Sequence, residues 1–252
     1  MSKLFYIMGK SASGKDHFYK ALLENKTLNL KPFVIYTTRP MREGEENGRE
    51  YYFTDEAQLS ALRAAGKIIE ERVYQTIAGP WYYFTADNGL IRKSEAISAA
   101  DYVLITKSEP SPDSDKAKSE FECNSAALID SENTSLPSAE RRYDSASPAD
   151  SEENFLAIGT LESYLPLQKY YGSEVIIPIY IETEDGIRLE RAMKREKKQA
   201  SPKYAEMCRR FLADTADFSE ENLAKAGISR RFLNNGAFED CLAEIEAFML
   251  LS

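Results

Sequence analysis

The stretch Gly9-Lys10-Ser11-Ala12-Ser13-Gly14-Lys15-Asp16 decides the fold, and the rest of the chain is organised around it. The apolar run at residues 3–8 is typical of a buried parallel strand, and residues 16–23 have helical spacing. A glycine-bounded loop between a strand and a helix is the context in which G-x-x-x-x-G-K binds phosphate. Because glycines let the backbone wrap an anion and the helix start adds partial positive charge, we predict a nucleoside triphosphate site.

The residue after Lys15 departs from this pattern. Lys15 is placed to reach the outer phosphates, and Ser or Thr normally follows it and ligates Mg²⁺ through its hydroxyl. Here Asp16 follows, and a carboxylate is also a hard oxygen ligand for Mg²⁺, so Asp16 is the candidate metal ligand. A chance glycine loop is the alternative, which the strand before and the helix after disfavour.

Composition limits the class of protein. A chain of 252 residues with 43% hydrophobic residues can form one sizeable α/β domain or two small ones. The formal charge of -9 disfavours nucleic-acid binding through bulk charge, and no apolar run is long enough to span a membrane. The N-terminus lacks signal-peptide features, the cysteines have no metal or disulfide spacing, and His17 is the sole histidine. We therefore expect a soluble cytoplasmic protein without nucleic-acid or membrane partners, whose oligomeric state stays open.

A second informative stretch, Thr37 to Phe53, follows a predicted buried strand at residues 32–36. Two arginines three positions apart, Arg39 and Arg42, can converge on one phosphate with bidentate forks, and Tyr51 offers a hydroxyl to the same group. Taken alone, a solvated charged loop explains these residues equally well.

Together the two stretches resemble guanylate kinase, a P-loop nucleoside monophosphate kinase. Every fixed letter of the family pattern T-T-R-x-x-R-x-G-E-x-x-G-x-x-Y-x-F is present in residues 37–53, although Ile35 replaces the usual serine before it. The resemblance implies a three-layer α/β P-loop NTPase fold with a parallel sheet, a small GMP-binding lobe and a helical lid. It also implies transfer of the γ-phosphoryl group of ATP to GMP with Mg²⁺, in which Arg39, Arg42 and Tyr51 hold the GMP phosphate. The other function that we weigh is a non-catalytic guanylate-kinase-like binding module.

Further GMP contacts follow from the resemblance. Residues 55–66 are predicted as a helix and residues 67–74 as a strand that carries Glu70, the family's guanine-reading position. Thr85 resembles the second guanine contact and Tyr83 a phosphate-binding tyrosine, but an extra residue in this run leaves Tyr82 as an alternative. Glu70 could also be only an exposed strand carboxylate, and Trp81 and Phe84 are interpreted as core residues.

The middle of the chain breaks the pattern. After a predicted helix at residues 89–99 and a strand at 101–106, residues 107–153 contain twelve acidic and five basic residues and are predicted to be a largely disordered insertion. A strand then resumes at residue 154, where Ala157 and Gly159 replace the Asp-x-Asp pair of many guanylate kinases. Asp16 and Glu162 are the candidates for the missing charge, and whether the run ending at Thr106 or at Ala157 is central stays open.

The last third resembles the family's lid and final core elements. We predict a strand at residues 174–181, helices at 185–198 and 202–213, a strand at 231–235 and a helix at 238–250. By resemblance, Arg191, Arg195 and Arg210 join Lys15 as catalytic residues, since guanidinium groups stabilise the transferred phosphoryl. Arg188 and Arg209 are interpreted as solvated.

The predicted ATP-binding residues are Gly9, Lys10, Ser11, Ala12, Ser13, Gly14, Lys15, Asp16 and Asn234, the last by resemblance to an asparagine near adenine. The predicted units are core at 1–36, GMP-binding lobe at 37–87, core at 88–106, insertion at 107–153, core at 154–187, lid at 188–215 and C-terminal core at 216–252.

Overall fold

The computed structural model describes residues 2–76, 79–91 and 153–252. The strands are β1 Leu4–Met8, β2 Leu30–Pro32, β3 Tyr36–Thr37, β4 Tyr52–Phe53, β5 Ile68–Thr76, β6 Gly79–Ala86, β7 Asn154–Ile158, β8 Ile176–Glu182 and β9 Phe232–Leu233. The helices are α1 Lys15–Glu24, α2 Glu56–Ala64, α3 Leu161–Tyr171, α4 Asp185–Glu196, α5 Tyr204–Asp217, α6 Glu220–Lys225 and α7 Phe238–Leu251.

The three central strands of the larger sheet, β1, β7 and β8, are apolar runs that are largely buried on both faces. The strands of this sheet lie in the order β2-β7-β1-β8-β9, and every neighbouring pair is parallel. One face packs against α3 and α6 through residues such as Tyr164 and Leu223, and the other packs against α1 and α7 through Phe18 and Ile245. Because helices cover both faces, the predicted three-layer α/β fold is confirmed.

β7 settles which of two similar runs is central. It lies between β2 and β1, with Tyr6 opposite Ala157, so the run that contains Ala157 occupies a central place in the sheet. The strand predicted at 101–106 lies outside the described residues. The helix predicted at 89–99 lies outside them except for residues 89–91, which are not helical, and of the insertion only Glu153 is described.

A second sheet forms the small lobe, with the strand order β4-β3-β6-β5. The long β5–β6 hairpin is antiparallel, and Leu59 of α2 packs against Phe84 and Ala86 on one of its faces. α2 begins at Asp55, whose carboxylate accepts a hydrogen bond from the Gln58 N–H at 2.8 Å. The helix and strand predicted at residues 55–74 are therefore confirmed.

The single strand predicted at residues 32–36 is wrong, because this run serves two sheets. The Phe33 N–H still donates to Leu156 in the larger sheet, whereas the Ile35 carbonyl accepts from Tyr52 in the lobe. The residues of this run are similar in hydrophobicity, but Phe33 is buried in the main core whereas Tyr36 stacks on Phe84 of the lobe. An apolar run alone does not tell which core each residue enters.

The C-terminal third follows the prediction with one addition. The predicted lid helices correspond to α4 and α5, and the final strand and helix correspond to β9 and α7. The short helix α6, capped by Ser219, was not predicted. Among the described residues, no helix is long and apolar enough to cross a membrane.

Candidate active site

The loop between β1 and α1 has no room for side chains at Gly9 and Gly14, the two glycines of the predicted phosphate-binding motif. A Cβ atom on Gly9 would lie 2.6 Å from the Ile181 carbonyl oxygen, and one on Gly14 would lie 2.7 Å from Asn234 Nδ2. Gly14 and Ala12 also have left-handed backbones, with φ of 94° and 62°. Residues 9–14 therefore form the tight turn that the sequence predicts before a helix N-terminus.

Side chains from distant elements hold this loop from outside. Asn234 Nδ2 donates to the Ser13 carbonyl at 2.8 Å, and Thr183 Oγ1 donates to the same oxygen at 3.3 Å. The Ser11 N–H donates to Asp214 at 2.7 Å, and the Ser11 carbonyl accepts from Arg188 Nε at 3.0 Å. The backbone of the phosphate loop is thus fixed by residues of the last third of the chain.

Arg188 is fully buried, so its interpretation as a solvated residue is wrong. Its guanidinium contacts Asp185 at 2.5 Å and Asp214 at 3.1 Å, and it lies 4.5 Å from the Phe211 ring. Burying a charge costs little only where partners satisfy it, and Arg188 has two carboxylates and a carbonyl. Asp185 three positions earlier was the available sequence signal, since it lies on the same helix face.

A cavity of about 800 Å³ adjoins the loop between α1 and α4, within the size range of small-ligand sites. It is lined by Ala12, Gly14, Asp16, His17, Lys20, Ala21, Glu24, Arg191, Lys194, Arg195, Lys198, Asn234, Gly236 and Phe238. Two of the predicted catalytic arginines therefore meet four of the predicted ATP contacts in one place. The arginines are Arg191 and Arg195, and the ATP contacts are Ala12, Gly14, Asp16 and Asn234. Arg191 also donates to the Asn234 carbonyl at 3.3 Å.

Lys15 lies at the first position of α1 and is half-buried. Burial lowers the pKa of its ammonium group, while the charges of Asp16 and Asp214 oppose this shift. A buried ammonium beside an anion-binding loop gains most from a charged ligand, because it is poorly hydrated when the site is empty.

The residues here fit a magnesium ion held partly by its substrate. Among the described residues no group of three or more His, Cys, Asp or Glu forms a metal cluster. Mg²⁺ is commonly bound through one or two carboxylates, substrate phosphates and waters, and the exposed Asp16 supplies one carboxylate at the loop. Glu162, the other candidate for the missing charge, is not among the residues that line this cavity, and its charge contributes to raising the pKa of Glu70 in the lobe.

Tyr6 occupies the space beside Gly159, the position at which many guanylate kinases carry the second aspartate of the Asp-x-Asp pair. A Cβ atom on Gly159 would lie 2.0 Å from the Tyr6 hydroxyl oxygen. That hydroxyl hydrogen-bonds to Ser163 Oγ at 2.7 Å and donates to the Thr160 carbonyl at 3.2 Å. No side chain fits at residue 159 while Tyr6 holds this position.

In the lobe, Arg39 gathers the predicted phosphate contacts. It is 3% exposed, and its two Nη atoms donate to Glu45 at 3.0 and 2.8 Å. Arg39 Nε donates to the Tyr83 hydroxyl at 3.1 Å, and the guanidinium lies 5.6 Å from the Tyr51 ring. Arg42 is exposed, and its N–H donates to Glu45 at 2.7 Å.

The two candidate tyrosines lie on opposite faces of β6. Tyr83 lies on the face of Arg39, whereas the Tyr82 ring lies on the other face, 5.1 Å from the Arg63 guanidinium. Tyr82 also packs with the cluster of Leu59 and Phe84, so it belongs to the core of the lobe.

Glu70 and Thr85 are opposite one another in the β5–β6 hairpin, and Thr85 Oγ1 donates to Glu70 Oε1 at 2.9 Å. Glu70 is 7% exposed, so its interpretation as an exposed strand carboxylate is wrong. Burial raises the pKa of Glu70, and the charge of Arg72 partly opposes this shift. Arg72 was not identified from the sequence as a partner of Glu70. A buried carboxylate with free acceptor capacity is suited to a ligand that carries paired N–H donors.

The predicted lid arginines divide into two groups. Arg191 and Arg195 line the cavity, whereas Arg210 is not among the lining residues. The side chains of Arg209 and Arg210 are 67% and 58% exposed and share Glu206, lowering the pKa of its carboxyl to about 2. Arg209 is solvent-exposed as predicted, and Arg210 has the same environment in this conformation.

Residues 1–88 match the family model described as guanylate kinase. The resemblance predicted from the phosphate loop and residues 37–53 is confirmed. Guanylate kinase of Nitrosomonas europaea is 40% identical over 70 residues, which are 28% of this chain and 34% of that protein. Guanylate kinase of Neisseria gonorrhoeae is 35% identical over 102 residues, 40% of this chain and 45% of that protein. The chain thus matches less than half the length of these relatives.

Similar solved structures were also found. The crystal structure of guanylate kinase from Anaplasma phagocytophilum superposes with a TM-score of 0.47 and 17% identity, covering 99% of this chain and 85% of that chain.

Proposed function

We propose that this protein is an ATP:GMP phosphotransferase that forms ADP and GDP. The observation that carries the proposal is the buried Glu70 carboxylate, held by Thr85 on a lobe that also carries the Arg39 cluster. Guanine presents N1–H and an amino group side by side, and one carboxylate can accept from both. Adenine lacks this paired donor edge, so the site selects a guanine nucleotide.

On the acceptor side, Arg39, Arg42, Tyr51 and Tyr83 hold the GMP phosphate. Arg39 and Tyr83 are already hydrogen-bonded to each other, and Glu45 neutralises Arg39 while no phosphate is bound. The phosphate competes with Glu45 for the bidentate guanidinium fork, because carboxylate and phosphate share that geometry.

On the donor side, residues 9–16 wrap the ATP phosphates and Asn234 steadies the loop. Lys15 reaches the outer phosphates, and Arg191 and Arg195 stabilise charge on the transferred phosphoryl. Asp16 is the residue that would hold Mg²⁺, which supplies positive charge between the phosphates when bound.

Closure of residues 188–215 brings the donor and acceptor together and removes water. Arg210 points to Glu206 in the present conformation, so we expect it to reach the phosphates only after α5 moves. Positioning and electrostatic stabilisation are sufficient for phosphoryl transfer, and no side chain acts as nucleophile.

The test is ADP formation from Mg²⁺-ATP by the full chain, with GMP, dGMP, AMP, CMP and UMP offered separately. We expect turnover with guanine nucleotides alone. Lys15→Met should abolish turnover, whereas Lys26→Met, an exposed lysine beyond α1, should leave it unchanged. Turnover with another base would overturn the substrate, and GMP binding without turnover would instead indicate a binding module.

A further inference from the structure

One face of the β5–β6 hairpin carries more than the two predicted guanine contacts. Two cross-strand pairs on this face, Glu70–Thr85 and Arg72–Tyr83, lie in register and are separated by one pair on the other face. Residues two apart on a strand point to the same side, and directly opposed residues share a face. Arg72 therefore lies on the face of Glu70 and Tyr83, between the base-reading carboxylate and the Arg39 cluster.

The contacts of Arg72 hold its guanidinium beside Glu70. Arg72 Nε lies 3.1 Å from Glu70 Oε2, and Nη2 lies 3.4 Å from Oε1. The Arg72 side chain is 15% exposed and that of Glu70 is 4% exposed, so the pair is largely out of water. Among the described residues no hydrogen bond from Nη1 of Arg72 is present, and a guanidinium has five N–H donors.

The charge of Arg72 also reaches both ends of this face. Burial raises the pKa of Tyr51, whose ring lies beside the Arg39 guanidinium, and the charges of Arg39 and Arg72 oppose that shift. Arg72 likewise opposes the burial-driven rise in the pKa of Tyr6, to which the charge of Glu70 adds. The guanidinium is thus within electrostatic reach of a ligand along the whole length of the face.

Guanine offers the complementary pattern of groups. Beside the N1–H and amino donors that a carboxylate accepts lie O6 and N7, two acceptors that an arginine fork can bind together. We propose that Arg72 is a specificity-determining residue that donates hydrogen bonds to the O6 and N7 edge of guanine beside the Glu70 carboxylate. This inference rests on the proposed function, since it names a further contact to the same acceptor.

The pair then discriminates by repulsion as well as attraction. Adenine has an amino group at the position of O6, and this group would place N–H donors against the guanidinium. A guanidinium has no acceptor atom for them. A buried donor left without an acceptor is costly, so Arg72 adds to the rejection of adenine, whose N1 lone pair already faces the Glu70 carboxylate.

The competing explanation is that Arg72 only neutralises Glu70. A buried carboxylate needs a compensating charge, and this requirement alone could place an arginine there. The two roles differ in their response to the ligand, because neutralisation affects every guanine analogue equally whereas a direct contact depends on atoms O6 and N7.

The experiment is calorimetric titration of the full chain, without ATP, with GMP, 6-thio-GMP and 7-deaza-GMP. The first analogue weakens the acceptor at position 6, and the second removes N7. Wild type should bind GMP more tightly than either analogue. In Arg72→Met the affinity for GMP should fall about ten- to hundredfold, and the preference over the analogues should disappear.

Arg63→Met is the matched control, because Arg63 pairs with Glu71 on the opposite face of the hairpin and should leave all three affinities unchanged. Arg72→Lys keeps the charge but not the fork, and should recover part of the affinity without the preference. Circular dichroism and unchanged ATP binding establish that each variant is folded.

The outcomes separate the inference from the function on which it rests. Equal losses for GMP and both analogues in Arg72→Met, or full recovery by Arg72→Lys, would overturn the direct contact while leaving GMP as the acceptor. Absence of GMP binding by wild type would overturn the acceptor itself and the inference with it.

Discussion

The small lobe and the phosphate loop are stabilised over very different sequence separations. In the lobe, Arg39 meets Glu45 six positions away, and Thr85 meets Glu70 fifteen positions away. The phosphate loop depends on Arg188, Asp214 and Asn234, at separations of 177, 203 and 221 positions. The lobe is thus a local construction, whereas the loop is held by the end of the chain.

This difference explains where the sequence pattern is complete and where it is not. A local cluster must bring its own partners within one short stretch, so residues 37–53 carry every letter of the family pattern. A loop held by distant side chains can differ within its own stretch, as it does at Asp16, while its support lies elsewhere.

The largest expected effect is on the distant support of the loop. Arg188→Met should lower the free energy of unfolding by about 3 kcal/mol, because it leaves the half-buried Asp214 without its cation. Urea denaturation followed by circular dichroism measures this change.

Arg209→Met is the control, since Arg209 is exposed and should change stability by no more than about 0.5 kcal/mol. Adding Asp214→Leu to Arg188→Met should recover part of the loss. Equal stability of the Arg188 and Arg209 variants would show that the loop does not depend on this ion pair.

Next in size is a change within the lobe. Glu70→Gln should raise the KM for GMP about a hundredfold, since charge-assisted hydrogen bonds to guanine are lost. The KM for ATP should stay the same, because the loop is held independently of the lobe.

Glu71→Gln, on the opposite face of β5, is the matched control and should leave both constants unchanged. A parallel rise in the KM values of GMP and ATP in Glu70→Gln would mean that lobe and loop are coupled, contrary to the comparison.

A smaller effect is expected at the junction of the two regions. Gly159→Ala should lower the free energy of unfolding by about 1–3 kcal/mol, because the new methyl group overlaps Tyr6 and forces it to move. Gly186→Ala, where no atom lies within 4 Å of the added Cβ, serves as the control in the same denaturation experiment. If both variants are equally stable, Tyr6 is not what excludes a side chain at residue 159.

The smallest effect is a pH dependence. Burial raises the pKa of Glu70, so this carboxyl takes up a proton at a higher pH than an exposed glutamate does. The protonated form cannot accept both guanine donors, and GMP affinity should therefore weaken as the pH falls, by less than about tenfold per pH unit.

Titrating GMP into wild type and Glu70→Gln at a series of pH values checks this. The variant retains any contribution from titration of the phosphate but not that of the carboxyl. Identical pH profiles for the two proteins would exclude Glu70 as the source.

The sequence predicted the secondary-structure elements well where the signal is local. Strand β1, the glycine loop and α1 follow from spacing alone, and Arg39, Tyr51, Glu70 and Thr85 follow from the resemblance. Arg188 was misread because a basic helix face looks the same whether it meets water or a distant carboxylate. Arg72 and Tyr6 were not singled out because each acts through a partner that only the folded sheets bring near.

The two sheets also explain why an apolar run was assigned wrongly. Residues 32–36 are uniform in hydrophobicity, yet the chain passes from one sheet to the other within them. The point of crossing depends on the strands with which each residue pairs, and the hydrophobicity of the run does not indicate those strands.

The position of β2 beside β7 has a consequence for the modular construction of the protein. The chain departs from the larger sheet at Pro32 and returns at Asn154, and these two strands are direct neighbours. Entry and exit therefore lie within about 10 Å of one another, given the spacing of adjacent strands. Segments of any length can be spliced between such points without shifting the register of β1, β7 and β8. The segment between residues 32 and 154 can therefore differ in length and content while the parallel strands of the larger sheet stay in place.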